Sequence, residues 1–149
     1  MHVVTVATEE DLNALLPLVR SYCNFYGVEP SDGKLLELSR SVIAEPDCEG
    51  FQILARDDAG RALGFATVFW SWSTRSASRI AIMNDLFVVP HARGTGVAEA
   101  LIEECRVRAG RRGATSLTWQ TAKDNFRAQK LYERLGGRRE EWLDYSLNT

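Results

Sequence analysis

Histidine and cysteine are scarce in this chain of 149 residues: His2 and His91, and Cys23, Cys48 and Cys105. No pair of cysteines stands two residues apart, so neither a zinc ribbon nor a disulfide framework is expected, and no metal is assigned. An odd number of thiols reads as free cysteine in a reducing compartment, the cytoplasm. Charge of one sign is also lacking: 18 Lys and Arg stand against 20 Asp and Glu, and 15 of the 18 basic residues are scattered arginines. A net charge of −2 carries no footprint for nucleic acid or for an anionic membrane. No apolar run approaches a membrane span, and the N-terminus has no basic region followed by an apolar one. With no repeat and no low-complexity linker, residues 1–149 are expected to form one domain with a core that needs no staples.

What is there is an ordinary globular mixture, 45% hydrophobic and 26% charged. His2 to Ala7 is β-branched and reads as an edge strand. Thr8 and Asp11 signal a helix start, and Leu12, Leu15, Leu16, Val19, Tyr22 or Cys23, and Tyr26 recur at helical spacing up to Gly27, with Pro17 expected to kink the helix or confine its regular hydrogen bonding to either side. Ser31 or Asp32 caps a second helix whose apolar face is Leu35, Leu36, Leu38, Val42 and Ile43. Phe51 to Arg56, a turn at Asp57 to Gly60, and Ala62 to Trp72 read as an antiparallel hairpin. Arg79 to Val89 is a further strand, with a helix to about Gly110. Ala114 to Thr121 reads as a strand, Asn125 to Leu135 as a helix, and Arg138 to Leu147 as one or two final strands.

The chemistry concentrates in Asn84 to Ala98. A strand ends at Pro90, which removes a backbone donor, and Gly94 and Gly96 let the backbone approach a ligand where the next helix opens. Free N–H groups at a helix start make an anion site, most naturally one for phosphate. A Walker-type loop is excluded because Gly94-Thr95-Gly96-Val97-Ala98-Glu99 has no lysine, and a dinucleotide fingerprint because Glu99 stands where a small residue is needed. An ordinary strand–turn–helix corner is the plain alternative. The pattern that fits is Arg-x-x-Gly-x-Ala, at Arg93, Gly96 and Ala98, after Leu86-Phe87-Val88-Val89-Pro90.

This loop resembles the pyrophosphate loop of the GNAT superfamily of acetyl-CoA-dependent N-acetyltransferases. About thirty residues on, Asn125, Ala128, Tyr132 and Gly136 resemble the Asn-x-x-Ala-x-x-x-Tyr-x-x-x-Gly stretch of the fourth helix in that family. Gly137 departs from the aromatic usual after that glycine. The resemblance covers residues 62 to 137 well and the first 60 only in pattern. It implies an α/β (in some schemes α+β) GNAT fold, a mixed central sheet of six to seven strands flanked by four helices. It also implies acetyl-CoA as cofactor, held by Arg93, Gly94, Thr95, Gly96, Val97 and Ala98 at its pyrophosphate. The backbone of Leu86, Phe87 and Val88 would take the pantetheine arm, with Asn125, Ala128 and Tyr132 facing the cofactor. In this reading Tyr132 protonates the departing thiolate. The N–H near Val88 is the oxyanion donor, a contribution of roughly 3 kcal/mol.

Acetyl transfer to an amine also needs a proton acceptor, since a free alkyl ammonium has a pKa near ~10.4. Asp85 interrupts the apolar run Ile80 to Val89, where an unpaired carboxylate is costly to bury. It is either the base or anchor for a substrate ammonium, or a structural carboxylate bonded to backbone N–H groups or an arginine. Asn84 to Val88, Phe69 to Trp72 and Tyr22 to Tyr26 look most like the diamine and polyamine branch, which includes yeast-type histone/polyamine acetyltransferases. Tyr22, Tyr26, Trp70 and Trp72 would wall a slot for an organic cation, at about 0.5–2 kcal/mol each. The alternative is that these aromatics are core or dimer contacts. The expectation is therefore an N-acetyltransferase acting on a small polyamine-like primary amine, by direct transfer because no cysteine sits in either motif. A protein lysine or N-terminal acceptor, and a non-catalytic acyl-CoA-binding module, are the competing readings. The family's habits favour a homodimer.

Overall fold

Nine regular elements account for the computed structural model, which describes residues 2–149. They are β1 (Val3–Val6), α1 (Leu12–Phe25), α2 (Asp32–Ala44), β2 (Gly50–Arg56), β3 (Ala62–Ser73), β4 (Ser78–Val88), α3 (Val97–Arg111), β5 (Leu117–Thr118) and α4 (Phe126–Arg134). The strands lie side by side in chain order. The first three pairings are antiparallel, and β4 pairs with β5 in parallel through the α3 crossover.

The capping signals act where they were read. The Asp11 carboxylate accepts from the Thr8 N–H at 2.9 Å, and Ser31 Oγ accepts from the Lys34 N–H at 3.3 Å. Helix α1 is one continuous helix with Pro17 inside it. Among the described residues there are four α-helices, as expected, but five strands rather than six or seven. Residues 138–149 form no strand and carry exposed Trp142, Leu143, Tyr145 and Leu147. Alternation makes a strand only where a ladder partner is on offer, and β5, two residues long, offers almost none.

Each face of the sheet is covered by helices. Leu12, Leu15, Leu18, Val19 and Cys23 of α1 and Leu35 of α2 pack on Leu54, Phe65 and Phe87. On the other face Val97, Leu101, Ile102, Cys105 and Ala109 of α3 pack on Ile53, Ala66, Val68, Ala81, Met83 and Val88. A bulge in β4 sets which residues face which helices. Thr67 lies opposite Asp85 and Val68 opposite Met83, so Asn84 has no partner across the pair. One extra residue shifts every later side chain to the other face. Ala81 and Met83 point to α3, whereas Phe87, three pairs beyond Met83, points to α1. Asp85 shares that second face. Without the bulge it would be driven into the α3 core.

Candidate active site

The parallel pairing of β4 with β5 is confined to Ala81 with Leu117 and Ile82 with Thr118. Beyond Ile82 the two strands diverge, and the edge of β4 from Met83 to Val88 faces a cavity of about 430 Å³. Leu86 and Val88 line one wall, Trp119 and Thr121 the other, and α4 closes the side with Ala128, Leu131 and Tyr132. Tyr22, Phe25 and Tyr26 at the end of α1 cover the opposite mouth. A divergent pair of strands leaves backbone donors and acceptors of β4 without a ladder, the feature an extended amide-bearing arm requires.

The loop after β4 meets the other end of this cavity. Gly94 and Gly96 have φ of 79° and 91°, in the left-handed region that favours glycine. An added Cβ would meet only Arg127 near Gly94, at 3.8 Å, and nothing within 4 Å at Gly96. The constraint there is therefore conformational, together with the open space a ligand would use. Arg93 Nε donates to the Val88 carbonyl at 3.0 Å, and Thr95 Oγ1 to the Ala92 carbonyl at 2.7 Å, which fixes the loop. Val97 is buried in the α3 core, so this residue and Phe87, held 6.5 Å from Phe65, can serve a ligand only through their backbones. Arg93 and Arg127 both line the cavity. Free N–H groups of the first turn of α3, two cations and an unpaired strand edge fit a pyrophosphate carried on a pantetheine arm.

In the second motif, Asn125 caps α4, its Oδ1 accepting from the Ala128 N–H at 3.3 Å. Tyr132 stands edge-on to Trp119 with ring centroids 5.2 Å apart. Burial raises the Tyr132 pKa above that of a free phenol, so it keeps its proton at neutral pH. The departure at Gly137 has a geometric reason. Its N–H donates to the Tyr132 carbonyl at 2.8 Å, and a Cβ there would stand 2.8 Å from that same oxygen.

Asp85 is partly exposed as a residue, yet its Oδ1 is shielded and without a partner among the described residues. Desolvation pushes its pKa up from 3.8 to about 7, opposed by hydrogen bonds from the Thr67 hydroxyl and backbone N–H. Tyr22, on the same cavity wall, is pushed to about 12 by burial first and then by the Asp85 charge. The Tyr22 and Tyr26 rings lie 4.9 Å apart, tilted by 57° to one another.

The aromatic slot read from the sequence is only half assembled. Trp70 donates its Nε1–H to the Pro46 carbonyl at 2.8 Å and lies under Arg112, and Trp72 lies under Arg79 at 5.0 Å. Neither lines the cavity, because both belong to the far end of β3, beyond the bulge. Asn84, Trp119, Thr121 and Arg127 line it without having been singled out. Their position depends on where β4 and β5 part, and no local pattern marks that point.

The family described as "Acetyltransferase (GNAT) family" matches residues 15–137. An uncharacterized N-acetyltransferase of Bacillus subtilis (strain 168) is 35% identical over 151 residues, covering 96% of this chain and 95% of its own length. A D-amino-acid N-acetyltransferase of Saccharomyces cerevisiae is 35% identical over 92 residues, 61% of this chain and 57% of the yeast protein. Among solved structures, an aminoglycoside N-acetyltransferase in complex with CoA has the same fold, at TM-score 0.86 and 20% identity over 99% of this chain and 95% of that one. A cavity with a phosphate-type loop at one end and a buried carboxyl and phenol at the other is thus set in a family frame, and the chain is a member of the GNAT family, an acetyl-CoA-dependent N-acetyltransferase.

Proposed function

We propose that the chain acetylates the primary amine of a small cationic molecule by direct transfer, with Asp85 as proton acceptor and Tyr132 as proton donor. The observation that carries this reading is the Asp85 carboxyl in the wall of the cavity, with one oxygen shielded and unpartnered, beside Tyr22 and Tyr26. Acetyl-CoA, when bound, supplies an acyl group activated as a thioester. Arg93 to Ala98 would hold its pyrophosphate, and the Leu86 to Val88 backbone would take its arm. Asp85, with a pKa of about 7, is half ionised at neutral pH and accepts a proton from the amine. The Tyr132 hydroxyl, kept protonated by burial, gives its proton to the departing sulfur. No cysteine among the described residues lines the cavity, which supports direct transfer over a covalent acyl-enzyme.

For the acceptor, Asp85 beneath the Tyr22 and Tyr26 rings favours an ammonium over a neutral amine. A polyamine-like molecule fits this chemistry. The D-amino-acid N-acetyltransferase relative supports a second reading, the α-amine of an amino acid. Three free cysteines, two of them buried, support a reducing compartment such as the cytoplasm. Exposed Trp142, Leu143, Tyr145 and Leu147 support a homodimer that covers them, which light scattering of the purified chain tests.

Thiol release from acetyl-CoA against polyamines, aminoglycosides, D- and L-amino acids and lysine peptides tests the whole reading, with Asp85→Asn and Tyr132→Phe run alongside. Turnover with one small-amine class, lost in both variants, is the expected result. Acetyl-CoA binding with no turnover on any acceptor would return the chain to a binding module.

A further inference from the structure

On the α1 face of the sheet three polar side chains stand in a row where every neighbour is apolar. Gln52 of β2 is directly opposite Thr67 of β3, and Thr67 directly opposite Asp85 of β4. Gln52 and Thr67 are 2% and 1% exposed, among Leu54, Phe65 and Phe87 on the same face. Gln52 Nε2 donates to Thr67 Oγ1 at 3.0 Å. A threonine hydroxyl has one proton, and with the amide occupying a lone pair that proton is free to point the other way, at Asp85. With the amide nitrogen of Gln52 toward Thr67, the row runs from the amide through the hydroxyl to the carboxylate, and the amide's own Oε1 is left buried and unpartnered. It ends unterminated: Asp85 Oδ1 is buried and unpartnered, beside the cavity.

We propose that Gln52 and Thr67 are positioning residues for Asp85, a hydrogen-bonded file across three strands that holds the carboxylate at the cavity wall. This rests on the reading of Asp85 as the proton acceptor. Dissecting the file is meaningful because two buried polar groups in an apolar face are costly to keep unless they serve each other and a third. The titratable groups around Asp85 are Tyr22 and Tyr26 from α1 and Tyr132 from α4, with Cys105 behind it on the α3 face of the sheet and Arg93 and Arg127 further along the cavity. Burial raises Tyr22, Cys105 and Tyr132, so none of these three titrates in the range where the carboxyl does. His2 bonds to Thr95 of the loop at 2.9 Å, so a pH effect between 5 and 8 is assigned to Asp85 only where the carboxyl's own NMR titration follows it.

The test is the pH profile of kcat/KM for wild type, Thr67→Val, Thr67→Ser and Gln52→Met, with Asp85→Asn as reference. Removing the hydroxyl donor destabilises the ionised carboxylate, so the acidic limb in Thr67→Val moves to higher pH by about one unit. Thr67→Ser returns it to the wild-type position. Gln52→Met moves it the same way by less, since the hydroxyl loses its fixed direction and not its proton. An acidic limb unmoved in both Thr67→Val and Gln52→Met, with only a uniform fall in rate, would overturn the proposal and leave a packing role. Carbon-13 NMR of the aspartate carboxyls reads the same titration without turnover. If the limb survives in Asp85→Asn, the base assignment fails. The NMR midpoint of Asp85 then decides the file separately, its upward move in Thr67→Val supporting the pairing and a fixed midpoint refuting it.

Discussion

Replacing Asp85 by asparagine separates a carboxyl kept for chemistry from one kept for stability, because the two predict opposite signs. In the folded protein Asp85 ionises near 7, against an ordinary value of 3.8. Between those pH values the unfolded chain binds fewer protons than the folded one, so the stability of wild type falls as pH rises and levels off above about 7. The gap converts to about 4 kcal/mol, a ceiling because the residue is partly in contact with solvent. A carboxamide is never charged, so the Asp85→Asn variant escapes this loss. Its stability relative to wild type should climb by about 2–4 kcal/mol between pH 4 and 7.5, a midpoint difference on the order of 10 °C. Thermal and urea unfolding of both proteins across pH 4 to 8.5 measures it. Activity should move the opposite way, with turnover lost where stability is gained. Parallel stability curves would refute the desolvation argument. A variant that loses ground as pH rises would mean the carboxylate is paired in the fold and held there for structure.

Tyr132→Phe keeps the ring against Trp119 and removes only the hydroxyl, so kcat should fall about 100-fold with the acetyl-CoA KM little changed in steady-state kinetics. Gly96→Ala forces a side chain to φ 91°, and should raise the acetyl-CoA KM roughly tenfold while lowering stability by about 1 kcal/mol. Gly27→Ala, at φ 67° and far from the loop in sequence, is the control: the same stability loss in a urea titration with no change in KM. Leu101→Ala, at a side chain with no exposure in the α3 core, should lower unfolding free energy by about 2–5 kcal/mol by chemical denaturation.

Local signals were legible wherever a residue type answers to its immediate neighbours. Ser31 and Asn125 cap the helices expected of them, Thr8 precedes a short 3-10 turn, Glu9–Asp11, that leads into α1, and Gly94 and Gly96 take the positive φ that the loop pattern required. Trp70 and Trp72 misled because alternation tells which side chains share a face and not what lies over that face. Here Arg112 and Arg79 do. Gln52 and Thr67 were invisible as a pair, since fifteen residues of chain separate them and only the register of β2 with β3 brings them together. Residues 138–147 have the alternation of a strand but no ladder to join, and a partner is not a property of the segment itself.

The unpaired Asn84 in β4 makes the site a matter of parity. Residues before it and after it are counted from different origins, so shortening the strand by one residue there would not trim an edge. It would exchange odd for even along Asp85 to Val88, turning the carboxyl toward Leu101 and Cys105 and Leu86 toward α1. Substitutions can tune this cavity gradually, whereas a single-codon deletion at position 84 can only abolish it. Gaps placed at that position when distant relatives are compared should therefore coincide with loss of the acid group or of the activity, and not with a change of substrate.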